Sequence, residues 1–186
     1  MASTNFMFVG PNTKLPFILI LLLAIFLCSE SRLDHGLLQE TNMTLYIHDY
    51  FSGPNTTSIA IGVPSDDHWV VNSFGTMYCT DNPVTEAPEA DSDYVGRAQG
   101  TFVSSAMDGS NSQVVMSIAF ETNEFRGSTL QIQGAGPQMQ SVKEVSVLSG
   151  TGAFRYARGF ATFETIFYDR AANYSVVEWN ITMEHY

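Results

Sequence analysis

With 186 residues, 45% of them hydrophobic, the chain is long enough to bury one full core and too apolar to be disordered. Only 8 Lys and Arg stand against 19 Asp and Glu, a formal charge of -11, which excludes the clustered cations that nucleic-acid binding requires. The 13 Phe and 8 Tyr, with many Val, Ile and Thr, favour strands over helices.

In chain order, residues 1–31 are read as a signal peptide. The apolar run Leu15–Cys28 follows Lys14 and is too short to span a bilayer, and Ser29 and Ser31 supply the small residues for cleavage before Arg32. The mature protein is therefore expected to be extracellular, with no membrane association once the signal is removed. Cys28 leaves with that segment, so Cys79 stays alone and is read as a buried, inert thiol. Residues 32–42 are expected to be a short mobile lead-in, and residues 43–186 to form one β domain.

Apolar alternation punctuated by turn formers then predicts strands over Met43–Phe51, Ser58–Gly62, His68–Thr80, Tyr94–Met107, Gln113–Glu121, Thr129–Gly134, Val142–Leu148, Phe154–Tyr168 and Tyr174–Glu184. No mature segment carries a helical apolar stripe that could build parallel crossovers, so the connections are antiparallel. Eight or nine such strands either close into a barrel or split into a sandwich, and an all-β antiparallel barrel is favoured because closure removes the exposed edges. Parity places Val114, Met116, Ile118 and Phe120 on one buried face, and Val177, Trp179, Ile181 and Met183 on another. Sequons at Asn42, Asn55, Asn173 and Asn180 agree with a secretory route, and Asn180 falls on the polar side of its strand.

Two charged side chains conflict with their surroundings. Asp49 shares strand parity with Met43, Leu45 and Ile47, whereas His48 faces the other way. A carboxylate on an apolar face either moves protons inside a cavity or caps the Ser52-Gly53 turn. Arg158 shares parity with Phe154, Tyr156 and Phe160. It either holds a phenolic oxygen among those aromatics or makes a structural ion pair. Arg97, between Gly96 and Gly100, is read as structural. The four histidines have no metal-ligand spacing, and neither a hydrolase elbow nor a dinucleotide fingerprint is present, so no metal or cofactor is expected.

The ordered segments Leu45-Tyr-Ile-His-Asp49, Phe74-Gly-Thr76, Asp81-Asn-Pro83, Gly96-Arg-Ala-Gln-Gly100, Gly127-Ser-Thr-Leu130 and Gly150-Thr-Gly152 leading to Ala157-Arg-Gly159 resemble the plant dirigent family, over residues 43–186. The resemblance implies an all-β, eight-stranded antiparallel barrel of the allene oxide cyclase-like kind, a homo-oligomer (trimer or dimer) secreted to the apoplast. It also implies stereoselective coupling of phenoxy radicals, from coniferyl alcohol-type monomers to optically active lignans, the radicals being made by a separate oxidase such as a laccase. Asp49 and Arg158 match the family's pocket aspartate and arginine, and Phe102, Phe154 and Tyr156 are expected to line the substrate pocket. Ala153 and Phe102 stand where lignan-forming members have aspartate and tyrosine. The alternatives are a cofactor-free lyase or cyclase acting on a phenolic quinone methide, similar to pterocarpan synthases, and a cell-wall defence or ligand-binding module.

Overall fold

The computed structural model describes residues 37–65, 70, 72–122 and 124–186, so the predicted signal peptide and its cleavage site lie outside the described residues. Nine antiparallel strands follow one another: β1 Gln39–Tyr50, β2 Ser58–Gly62, β3 Met77–Thr85, β4 Tyr94–Ser104, β5 Asn111–Phe120, β6 Thr129–Pro137, β7 Lys143–Thr151, β8 Arg158–Asp169 and β9 Tyr174–His185. From β3 to β9 each strand pairs with the next, β9 pairs with β1 from Gln39↔His185 to Tyr50↔Tyr174, and β1 meets β3 at Tyr46↔Thr85 and Ile47↔Val84. That short seam closes an eight-stranded barrel. β2 is the ninth strand, paired with β3 outside the ring.

Period-2 alternation fills the interior. Leu45 and Ile47, Val114 to Phe120, Leu130 and Ile132, and Trp179 to Met183 supply inward side chains that form one buried cluster. Gly96 and Gly100 mark a close approach of strands, since a Cβ at either would collide with the carbonyl oxygen of Ala119 or Val115 on β5.

Four expectations need correction. Residues 39–42, read as part of a mobile lead-in, belong to β1, because the end of β9 supplies partners for their backbone groups. Asp81–Thr85, read as a turn, continues β3. Pro83 is tolerated because it falls between Thr80, the last residue paired to β2, and Val84, the first paired to β1, so no ladder bond is lost there. Cys79 is exposed rather than buried, since Tyr78 and Thr80 take the inward positions on either side of it. The strand expected from Phe154 begins only at Arg158, after a 3-10 turn at Gly152–Phe154.

Candidate functional site

The barrel encloses an open-ended cavity of about 470 Å³ whose wall is mostly apolar and aromatic, with Ile47, Phe51, Phe102, Met116, Phe163 and Trp179 among its lining residues. Phe163 stacks on Trp179 at 4.5 Å between ring centroids, and Phe102 stacks on Tyr78 at the same spacing. Flat, fixed rings of this kind complement a planar aromatic guest.

Asp49 reaches this wall from the end of β1. Its Oδ1 accepts hydrogen bonds from Ser58 Oγ (2.9 Å) and from the Asn82 side-chain amide, two groups that β2 and β3 bring to it. Asp49 therefore does not cap the Ser52-Gly53 turn. Burial is the dominant influence on its carboxyl and outweighs those two hydrogen bonds, raising its pKa to about 6. Among the cavity-lining residues Asp49 is the one acid and Lys143 the one base. The Lys143 ammonium sits 5.5 Å from the centroid of the Phe163 ring.

Behind Asp49, on the outer face of β1, His48 is almost wholly buried. Thr85 Oγ1 donates to the Ala87 carbonyl (2.7 Å) and so accepts from His48 Nε2 (2.8 Å), which leaves Nδ1 to accept from the Tyr174 hydroxyl (2.7 Å). Burial lowers the His48 pKa, and burial followed by the neighbouring Tyr50 pushes Tyr174 up to about 12, so this chain of bonds is neutral. It staples β1, β3 and β9 immediately behind the acid.

Of the residues expected in the pocket, Asp49 and Phe102 line the cavity and three do not. Phe154 is fully buried in the core, packed on Phe120, Phe125 and His185. Tyr156 is 64% exposed, with a left-handed backbone (φ 65), and Arg158 is exposed on the barrel's outer face. The 3-10 turn, begun by Gly152 at φ 62, breaks the parity that had aligned Phe154 and Tyr156 with β8, on which Arg158 and Phe160 share the outer face. Arg97 is also outside, holding Asp81 at 2.7 Å. Sequence reasoning missed Lys143, Ser58 and Asn82. A basic residue at the start of a predicted strand, and polar residues at inward parity, were the available signals.

The profile of the family described as Dirigent-like protein matches residues 40–184. The chain is 34% identical over 190 aligned positions to pterocarpan synthase 1 of Glycyrrhiza echinata, covering all of both chains. It is 33% identical to dirigent protein 23 of Arabidopsis thaliana over 145 positions, 78% of each. The solved structure of a pterocarpan synthase dirigent protein superposes with a TM-score of 0.73 at 34% identity, covering 83% of this chain and 89% of that one.

Proposed function

The chain belongs to the dirigent family, and from that premise we propose that it is a cofactor-free lyase which removes water from a phenolic benzylic alcohol and closes a ring through a quinone methide. The observation that carries this reading is the Asp49 carboxyl, held on an aromatic cavity wall with its pKa near 6, where it is available both as acid and as base. The similarity to pterocarpan synthases along the whole chain supports the same reaction class.

Protonated Asp49 gives its proton to the benzylic hydroxyl. The carbon–oxygen bond breaks and water leaves, while the conjugated phenolic oxygen supplies the electron pair and releases its own proton to solvent. A second phenolic hydroxyl of the same molecule then attacks the methide carbon. A carbon–oxygen bond forms, the attacking hydroxyl's proton returns to the Asp49 carboxylate, and the former quinone oxygen takes up a proton from solvent. The product is the substrate less one water, and no oxidant is consumed. Enclosure by stacked rings keeps solvent water from competing with the internal nucleophile.

A second reading is orientation of two phenoxy radicals made by a separate oxidase such as a laccase, with optically active lignans as products. The aromatic lining supports it, and the hydroxyl-free Phe102 weakens it. Secretion to the apoplast belongs to the same proposal, together with glycans at the exposed Asn42, Asn55 and Asn180 and at Asn173, and with assembly of copies into a trimer or dimer. Outward apolar side chains such as Ile59, Leu148 and Phe160 support that assembly.

The test is incubation of the purified protein with an isoflavanol bearing both phenols, alone and with laccase plus coniferyl alcohol, followed by chiral chromatography. Accelerated water loss without oxidase is the expected result. No acceleration, combined with an enantiomeric excess of lignan only when laccase is added, would replace the first reading with the second.

A further inference from the structure

Asp49 accounts for the proton given to the departing hydroxyl, and it leaves open what balances the charge on the phenolic oxygen at the other end of the conjugated system. That oxygen becomes electron-rich whenever its proton is lost before the carbon–oxygen bond breaks. In an apolar cavity an uncompensated phenolate is costly. The wall holds one cation that meets this need.

Lys143 is the first residue of β7, opposite Phe163 on β8 in the strand register. Its stem lies beside Gly136 of β6, within ordinary van der Waals reach of that residue. Its ammonium sits over the Phe163 ring, which is itself stacked on Trp179, and this fixes the charge at the edge of an aromatic stack. The one ion pair among the described residues joins Arg97 to Asp81, so Lys143 has no carboxylate neutralising it. Gln138 and Ser112 line the same part of the wall and hydrogen-bond to each other at 2.8 Å, adding polar groups but no charge.

We propose that Lys143 and the Phe163–Trp179 stack form a phenolate subsite, in which the lysine ammonium binds the phenolic oxygen conjugated with the reacting carbon and the stack holds that oxygen's ring. This rests on the reading of the cavity as a phenol-binding site. The subsite selects guests whose acidic phenol lies at the end of the molecule away from the leaving hydroxyl, so that one group meets Lys143 while the other meets Asp49. Lys143 is then a catalytic residue, favouring the ionised phenol from which the quinone methide forms.

The test uses 4-nitrophenol, whose absorption reports its own ionisation, bound to the full chain at fixed ionic strength. In the wild-type protein the bound probe is expected to titrate about one unit lower than in Lys143→Met, the effect of one opposite charge within a few ångströms. That shift corresponds to an about tenfold preference for phenolate over phenol. Lys143→Arg restores the lower midpoint, and Lys143→Met keeps the wild-type melting temperature. Equal midpoints in wild type and Lys143→Met, or no binding of the probe to the wild type, overturn the subsite. Isoflavanol turnover, measured in parallel, separates the two claims. A probe shift without turnover leaves the subsite standing and removes the lyase, whereas turnover with equal midpoints does the reverse.

Discussion

A carboxyl whose pKa is raised by burial stores a cost that its removal returns. Unfolded, Asp49 ionises near 3.8; folded, it ionises near 6, so between those values the folded state holds a proton that the unfolded state has released. Stability therefore falls as pH rises from about 4 to about 6, by about 3 kcal/mol in all, and stays lower above that range. Asp49→Asn keeps an acceptor for Ser58 and Asn82 without the charge. It is expected to match the wild type in denaturant melts near pH 4 and to exceed it by about 2–3 kcal/mol at pH 7. Activity should move in the opposite direction. Loss of the proton donor is expected to cut kcat about 100-fold or more, and in the wild type kcat/KM should decline as pH rises through about 6. Full activity in Asp49→Asn would remove this residue from the mechanism.

At the level of strands, the barrel depends on a seam between β1 and β3 that has two residue pairs, reinforced by the His48 bonds to Thr85 and Tyr174. His48→Ala strands both partners next to the core and is expected to cost about 1–3 kcal/mol in urea unfolding. A loss below half a kilocalorie would show that the seam holds without it. Burial lowers the His48 pKa, so the neutral ring's contribution is full above its ordinary 6.5 and is lost as pH falls through the lowered value. This opposes the Asp49 effect over the acid range and should emerge alone in Asp49→Asn, whose stability declines on acidification. Those strands were legible in sequence wherever one face was apolar and the other polar, as in β5 and β9. Asp49 was legible for the same reason, being a carboxylate at an inward position. His48 was not, because the residues 86–93 that follow its partner Thr85 contribute nothing periodic. The pocket assignment for Arg158 failed because its face of β8, shared with Phe160, points outward, and those for Phe154 and Tyr156 failed ahead of that strand. Parity was carried back through a glycine-initiated 3-10 turn, and one turn is enough to uncouple a side chain from the face its neighbours occupy.

For the molecule as a whole, the formal charge is -11 with or without the predicted signal peptide, which carries Lys14 and Glu30 together. A negative molecule surrounds a cavity that itself holds one acid and one base. Its field extends about 8 Å into solution at physiological salt and further at low salt, so an anionic phenolic is repelled on approach while a neutral one is not. Lys143 acts only inside, on charge that develops after binding. The chain should therefore bind coniferyl alcohol more tightly than its carboxylate analogue ferulate at low ionic strength, and the difference should narrow as salt screens the field. Binding of ferulate should strengthen with added sodium chloride while that of coniferyl alcohol stays level, as measured by quenching of tryptophan fluorescence, to which Trp179 on the cavity wall contributes. Tighter binding of ferulate at low salt would mean that the cation on the wall dominates the molecule's field even at the entrance, and that the barrel selects carboxylated phenols instead.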